Sequence, residues 1–283
     1  MNHPLKTTPI VEWNAGAERR ALDEVVSEEP LEIRVNGTPV SVTMRTPGDD
    51  LELAAGFLFT EGIIHGRDDL ARTPAVRQGA RRRCNLVDVR LRRGKTVDLD
   101  ALRRHVFAAS SCGICGKASI DAVRVRGTIP PSGDLRLDPE TLVALPGALR
   151  PAQALFERTG GLHAAALFDS TAALLAVRED VGRHNAVDKI VGGALLAGRL
   201  PLGNHILFVS GRGGFEIVQK AVVAGIPVVV CISAPSSLAV ELAREMDLTL
   251  VGFLRDRRFI VYSGERRINA RRDSAAISTN LAG

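Results

Sequence analysis

Two cysteines stand three residues apart in Cys112-Gly113-Ile114-Cys115, and Gly116 and Lys117 follow at once. Gly113 and Gly116 make this loop supple enough for both thiols to turn outward. Where the short periodic run 118–123 opens a helix, the sulfurs sit at its positive end beside the Lys117 ammonium, which favours thiolate over thiol. A thiolate can attack a persulfide on another protein and take its terminal sulfur, by the same substitution as disulfide exchange. Cys115 can then relay that sulfur, or attack the persulfide on Cys112, close a disulfide and release sulfide. The spacing also fits half of a zinc site or an incidental pair. A four-ligand zinc site would have to recruit Cys84, Cys231 or a histidine from afar, because no second cysteine pair exists. A zinc deaminase is unlike this chain: none of its histidines has Glu two residues on, and Ser111 rather than Pro precedes Cys112.

Three other clusters carry polar chemistry. Ser210-Gly211-Arg212-Gly213-Gly214 is placed between an apolar strand and a helix, where backbone N–H groups and the helix dipole can hold a phosphate and Arg212 can add a forked donor. Ser233-Ala234-Pro235-Ser236-Ser237 repeats that layout after the next strand, and two such turns at adjacent strand ends form the crevice in which open α/β sheets bind ligands. Both also read as plain strand-to-helix connections. The stretch Asp180 to Lys189 crowds six polar or charged side chains around a helix start. On that helix His184 and Asp188 share one face, and Asn185 and Lys189 share the next. Such an arrangement can orient a histidine, or cap an exposed helix. His163 precedes an apolar strand and suits a core position as well as a ligand. Phe253-Leu254-Arg255-Asp256-Arg257-Arg258 is a basic turn that suits a diphosphate, or a solvated hairpin tip.

The elements that must position these groups follow from periodicity. Residues 1–20 lack a pattern and read as a flexible tail. From Leu31 the chain alternates through Ile33 and Val35, turns at Asn36-Gly37, and alternates again through Val40, Val42 and Met44, which predicts a β-hairpin. Pro47-Gly48-Asp49 stops the strand, and Asp49 or Asp50 is placed to cap a helix over about 51–60. A strand near 87–91 and a helix over about 101–108 complete a small α+β domain, 21–109. Residues 110–137 form the CxxC loop and a Gly/Pro-rich connector. An α/β domain follows over 138–270: helix about 139–158, paired strands 163–169 and 173–179, helix 183–197, strand 205–210, helix 214–224, strand 227–232, helix 236–246, and strands near 248–254 and 258–262. Alternation of this kind predicts a sheet covered by helices on both faces. Residues 271–283 read as a second flexible tail.

Bulk properties narrow the function classes. With 283 residues, 45% hydrophobic and 24% charged, the chain buries a sizeable core and is not disordered as a whole. It has no 18-residue apolar stretch and no secretion signal at its start, which points to the cytoplasm and away from a membrane. Four cysteines are too few for a disulfide framework and suit a reducing compartment. The net charge of +5 is concentrated between Arg77 and Arg104, where ten Arg and Lys face only Asp88, Asp98 and Asp100. That field attracts a polyanion or an acidic protein surface, or simply solvates a strand pair. Nucleic acid fits poorly, since the segment offers almost no aromatics for stacking.

Taken together, the residues resemble the formate dehydrogenase accessory sulfurtransferase family, from Glu29-Pro30-Leu31 to about Arg267. The most specific parts are Cys112-Gly113-Ile114-Cys115-Gly116, Thr159-Gly160-Gly161-Leu162-His163-Ala164-Ala165, the Asp180 to Lys189 cluster, and Ser210-Gly211-Arg212 with Glu216 and Lys220. The resemblance implies that a cysteine desulfurase loads a persulfide on Cys112, with Cys115 as the second thiol. It implies that the sulfur passes to a molybdenum or tungsten bis(molybdopterin guanine dinucleotide) cofactor, carried as cargo, before insertion into formate dehydrogenase. It further implies a cytidine-deaminase-like α/β/α unit, a homodimer, and a cofactor-binding stretch at Phe253 to Arg258, with no permanently bound cofactor and no metal ligands. Two other functions are distinguishable: a chaperone that holds the cofactor or the apo-enzyme without sulfur transfer, and a zinc-dependent hydrolase.

Overall fold

The computed structural model describes residues 3–71, 85–95, 130–131 and 133–269. The cysteine motif, the expected helix at 101–108, most of the Arg-rich segment and the tail at 271–283 lie outside them. Within them the chain is a mixed α/β protein with three sheets: a two-stranded ribbon, a three-stranded sheet and a six-stranded sheet.

The ribbon replaces the loose tail expected over 1–20. Strand β1 (Leu5–Asn14) pairs antiparallel with β2 (Ala17–Val26) through a turn at Ala15-Gly16, both at positive φ. Both faces of the ribbon are largely solvated, so its residues carry no inward/outward alternation for periodicity to detect. The three-stranded sheet follows, with β3 (Glu29–Val35) between β4 (Thr38–Arg45) and β5 (Leu86–Val89). Asn36-Gly37 makes the expected turn, with φ of 51° and 87°. The alternation expected in β4 fails after Val40. A register shift pairs Ile33 with Ser41 but Arg34 with Pro39, leaving Val40 as an extra residue. That bulge flips the strand, so Val42 and Met44 face solvent while Arg45 turns inward.

Helix α1 (Asp50–Thr60) covers the inner face of this sheet with Leu53, Ala54 and Leu58, packed against Leu31, Ile33, Val87 and Val89. The aspartates do not cap it as expected. Asp49 is left-handed with no capping bond, Asp50 takes a forked pair from the buried Arg45 guanidinium at 2.8 and 2.9 Å, and Glu52 holds Arg178.

The six-stranded sheet has the order β11-β10-β9-β8-β6-β7, built from β6 (His163–Phe168), β7 (Leu174–Asp180), β8 (Ile206–Val209), β9 (Val228–Cys231), β10 (Thr249–Arg255) and β11 (Arg258–Ser263). Strands β8, β9 and β10 run parallel, and β6, β7 and β11 complete the sheet antiparallel. Alternate strand residues feed two cores. On one face Leu207, Val209, Val229 and Leu250 meet α4 (Arg183–Leu196), α5 (Phe215–Val223) and α6 (Ser237–Glu245). On the other Phe168, Phe208, Val230 and Val251 meet α2 (Pro139–Leu149). The helix expected over 139–158 is therefore two: α2 ends in a 3-10 turn at Arg150–Ala152, and α3 (Ala154–Thr159) restarts after it. Pro151 lacks the N–H that would continue the ladder. The remaining elements fall within two residues of their expected bounds.

The small sheet and the large one share a seam. Helices α1 and α4 cross so closely that a Cβ on Gly56 would meet the Asp188 carbonyl oxygen at 1.9 Å, and one on Gly192 would meet that of Glu52 at 1.8 Å. Gly192→Val is expected to lower the unfolding free energy by about 3 kcal/mol or more, through overpacking of two backbones that cannot separate. Gly147→Ala, a helical glycine with open space around it, is expected to be neutral or to stabilise by about 0.5–1 kcal/mol. Urea denaturation of both variants checks the contrast, and equal midpoints would contradict it.

Candidate functional site

The strand directions bring the polar clusters to one edge of the large sheet. The carboxyl ends of the parallel strands β8, β9 and β10 lie there, with the start of β6 and the end of β7 beside them. Along that edge stand Phe253, Ser233, Ser210-Gly211, His163 and Asp180-Gly182, in the order of the strands. The two turns interlock. Gly213 N donates to the Ala234 carbonyl and Ser236 N to the Gly213 carbonyl, at 3.2 and 3.0 Å. Ser210 Oγ accepts from Ala164 N at 2.9 Å, which ties the first turn to β6. Phe253 N donates to the Ser233 carbonyl at 3.3 Å, and a Cβ on Gly252 would sit 2.9 Å from Pro235 Cδ. Phe253 itself has φ of 52°, a left-handed conformation costly for an aromatic residue. It occurs at the register shift between Gly252 and Arg255.

Gly211 and Arg212 thus stand along the same sheet edge as Phe253, with β9 between their strands. Arg255, Asp256, Arg257 and Arg258 form an exposed tip beyond it, with Asp256 left-handed and Arg257 paired with Glu140 at 2.7 Å, while Leu254 is buried in the core. Of the two serine-bearing turns, the second caps its helix: Ser236 Oγ accepts from Ala239 N at 3.3 Å.

The Asp180 to Lys189 cluster splits by helix face as its spacing predicts, but its partners come from distant segments. Asp180, fully buried, receives Lys189 Nζ at 2.8 Å, Asn185 Nδ2 at 2.9 Å, Gly182 N at 2.8 Å and Thr46 N at 3.2 Å. On the other face His184 Nε2 lies 2.8 Å from Glu216 Oε2 of α5. One turn deeper, Lys220 Nζ donates to both Asp188 oxygens and to Thr60 Oγ1 at 2.9 Å, while Thr60 donates to Asp188 at 2.8 Å. Burial alone would lower the Lys220 pKa, yet Asp188 and Glu61 outweigh it and raise it above the lysine range. Burial also raises Asp188, against the pull of Lys220 and Thr60.

His163, which sequence leaves between core and ligand, is half-buried at the crevice. Burial lowers its pKa first, and Arg183, His184 and Arg212 lower it further, against an opposing Asp180. Arg183 stands in the sequence as one of the six polar residues of the Asp180 to Lys189 cluster, with no role of its own; its Nε is buried without a hydrogen-bond partner. A recess of about 330 Å³ opens beside Ser210, with Pro146, Leu149, Phe156, Phe208 and Ile232 as its apolar wall and Arg150, Gln153 and Glu157 also lining it. Those residues are scattered over the chain, so no motif announces it. Cys231 lies beneath the first turn, where a Cβ on Gly213 would meet its sulfur at 2.7 Å. Burial pushes its pKa up to about 12, so it stays a thiol. Cys112 and Cys115 fall outside the described residues. Of the Arg-rich segment, Arg90 pairs with Asp88 and Lys95 with Asp69, both at 2.7 Å.

Comparison with known proteins follows this geometry closely in extent. The model of the FdhD/NarQ family matches residues 26–269. A protein of Streptomyces avermitilis named sulfur carrier protein FdhD is 54% identical over 272 residues, covering 94% of this chain and 96% of its own. One of the same name from Mycobacterium tuberculosis is 53% identical over 250 residues, covering 85% and 90%. The crystal structure of a protein from Desulfotalea psychrophila, described as a formate dehydrogenase accessory protein, superposes with a TM-score of 0.74 at 26% identity, covering 94% of this chain and 99% of that one.

Lys220→Met is expected to lower the unfolding free energy by about 3–5 kcal/mol, because it strands the Asp188 carboxylate in the interior. The double variant Lys220→Met with Asp188→Leu should recover much of that loss. Chemical denaturation monitored by circular dichroism measures both, and a loss below about 1 kcal/mol for the single change would show the pair to be energetically idle.

Proposed function

This chain belongs to the FdhD/NarQ family, and from that premise we propose that it is a sulfur carrier serving formate dehydrogenase. Cys112 attacks the terminal sulfur of a cysteine desulfurase persulfide. The desulfurase S–S bond breaks, its thiolate leaves, and the sulfur becomes a persulfide on Cys112. Cys115 relays the sulfur or discharges it. The acceptor is the molybdenum bis(molybdopterin guanine dinucleotide) cofactor, carried as cargo before it enters the client enzyme.

The observation that carries this reading is Cys112-Gly113-Ile114-Cys115 in a chain about half identical, over most of its length, to proteins named sulfur carriers. The crevice supports the choice of cargo. Gly211 and Arg212 offer amides and a guanidinium to diphosphate oxygens. Arg255, Arg257 and Arg258 add charge at the rim, and the recess beside Ser210 gives flat heterocycles an apolar wall. The six-stranded sheet with helices on both faces supports a cytidine-deaminase-like reading of the large unit. A homodimer is supported by the ribbon, where Pro9, Val11, Trp13 and Leu22 share a face and Trp13 and Leu22 are 69% and 72% exposed. Action in the cytoplasm suits a carrier whose Cys112 and Cys115 must be free thiols before they can accept sulfur. No helix among the described residues is long and apolar enough to cross a membrane.

Incubation with a cysteine desulfurase and cysteine is expected to add about 32 Da to Cys112, read by mass spectrometry of the intact protein and its peptides. Cys112→Ala should abolish activation of formate dehydrogenase, and Cys115→Ala should reduce it less. A double Cys→Ala protein that still activates its client would instead establish a chaperone that holds cofactor or apo-enzyme without transferring sulfur.

A further inference from the structure

From Arg150 to Gly161 no residue is buried, although the segment forms one wall of the recess beside Ser210. The buried Leu149 and Leu162 mark where it leaves the core and where it rejoins it. Apolar burial therefore does little to hold the segment, and a stretch of that kind opens locally at a fraction of the global unfolding free energy. Two polar clasps hold it instead. Leu155 N and Phe156 N, first-turn amides of α3, donate to the two carboxylate oxygens of Glu179 at 3.1 and 2.8 Å. Arg158, near the other end of α3, pairs with Glu24 of the ribbon. Of the two clasps Glu179 has the firmer footing, because β7 is pinned on either side of it, by Arg178 with Glu52 at 2.6 Å and by the buried Asp180 with Lys189 at 2.8 Å. The Arg158 pair is exposed on both sides, and such pairs contribute little. The segment also has a bend at each end, the 3-10 turn at Arg150–Ala152 and Gly160 with φ of 63°. Across the recess Phe208, Ser210 and Ile232 face it from the sheet, and Phe156, on its own wall, is left 38% exposed.

We infer that residues 150–161 form a strap hinged at both ends, that Glu179 clasps it shut over the recess beside Ser210, and that its opening is the way in and out for a flat heterocycle. This deepens the proposed function and rests on it for the identity of the occupant, a guanine ring of the cargo. A volume of about 330 Å³ is at the lower end of ligand pockets, room for one ring system and not for a whole dinucleotide. Opening disturbs no core contact within the strap, and the two amides released from Glu179 pass to water, which also accepts hydrogen bonds. The strap can therefore open without unfolding the sheet beneath it. A ligand that enters and leaves only through the open state has both rates set by the fraction of time the strap is open, so releasing the clasp speeds both together and leaves affinity nearly unchanged. Through Arg158 and Glu24 the strap is also tied to the ribbon, so a protein that grips the ribbon bears on it.

The test uses the full chain, with guanosine diphosphate carrying a fluorescent N-methylanthraniloyl group as the probe. Hydrogen exchange read by mass spectrometry should be faster over 150–161 than over α2 and β6 in the free protein, and should slow when the probe is bound. Glu179→Ala should speed exchange of the Leu155 and Phe156 amides roughly tenfold. In the same variant, stopped-flow fluorescence should show probe association and dissociation both faster by a similar factor, with the equilibrium affinity within about twofold of the parent protein. Glu179→Gln, which keeps an oxygen acceptor and loses the charge, should fall between the two. Arg19→Gln, in the ribbon pair with Glu12, should change neither exchange nor rates, and circular dichroism checks that each variant folds. Exchange over 150–161 as slow as in α2 overturns the strap. Faster exchange in Glu179→Ala with both probe rates unmoved overturns its role as an entry, and so does faster dissociation with unmoved association, which would make the segment a fixed wall that touches the ligand. Failure of the parent protein to bind the probe overturns this inference together with the choice of cargo. Loading of sulfur on Cys112 is read separately by mass, so its success beside any of these failures leaves the carrier reading standing.

Discussion

Helices α1 and α4 touch backbone to backbone, and the polar cluster along α4 is placed by that contact. Gly56 and Gly192 leave no side chain at the crossing, and the axes approach as far as carbonyl oxygens allow. Close approach lets the short side chain of Thr60 reach across to Asp188 and Lys220, and lets Thr46, just past the small sheet, donate to Asp180. The small sheet therefore does not flank the large one loosely. It fixes the height and rotation of α4, and with them the direction in which Arg183 and His184 leave the first turn.

The charged groups along α4 and α5 form two rungs of opposite sense. In the inner rung the acid is on α4 and the base on α5; in the outer rung His184 is on α4 and Glu216 on α5. The inner rung is buried, and Lys220 Nζ donates to three oxygen atoms of Asp188 and Thr60. A saturated buried pair contributes less to stability than to geometry, because desolvation consumes much of the Coulomb gain. Its effect is to forbid sliding of α5 against α4, since a shift of one turn would leave a bare charge in the interior. The crevice at the outer end inherits that rigidity. At that end Glu216 Oε2 meets His184, while Glu216 Oε1 and Arg183 Nε are buried without hydrogen-bond partners among the described residues.

At the far side of the crevice, rigidity comes from backbone rather than charge. The turns after β8 and β9 hydrogen-bond to one another, and Pro235 packs against Gly252, leaving Phe253 in a left-handed conformation that a β-bulge imposes. Conformational strain at an aromatic residue beside a binding crevice persists because the neighbouring turns over-determine it. One end of this sheet edge is thus set by ion pairs and the other by interlocked turns.

The amino-acid sequence alone determined the elements of the large unit from β6 onward to within two residues, because its strands are apolar runs and its helices patterned segments, each bounded by Gly, Pro or Ser turns. It also determined which side chains share a face of α4, since helical geometry is local, and it marked the cysteine pair by spacing. It did not reveal the ribbon, whose two solvated faces impose no pattern, or the bulge at Val40 that turns Val42 and Met44 outward. Nor did it divide α2 from α3, although Pro151 was in plain view, because an amphipathic pattern can run on through a broken helix. Only the tertiary structure decided that His184 meets Glu216, that Lys220 meets Asp188, and that His163 and Arg183 both stand against Gly211. Those facts depend on which strands lie side by side and how closely two helices cross, and such long-range geometry leaves no periodicity in the chain.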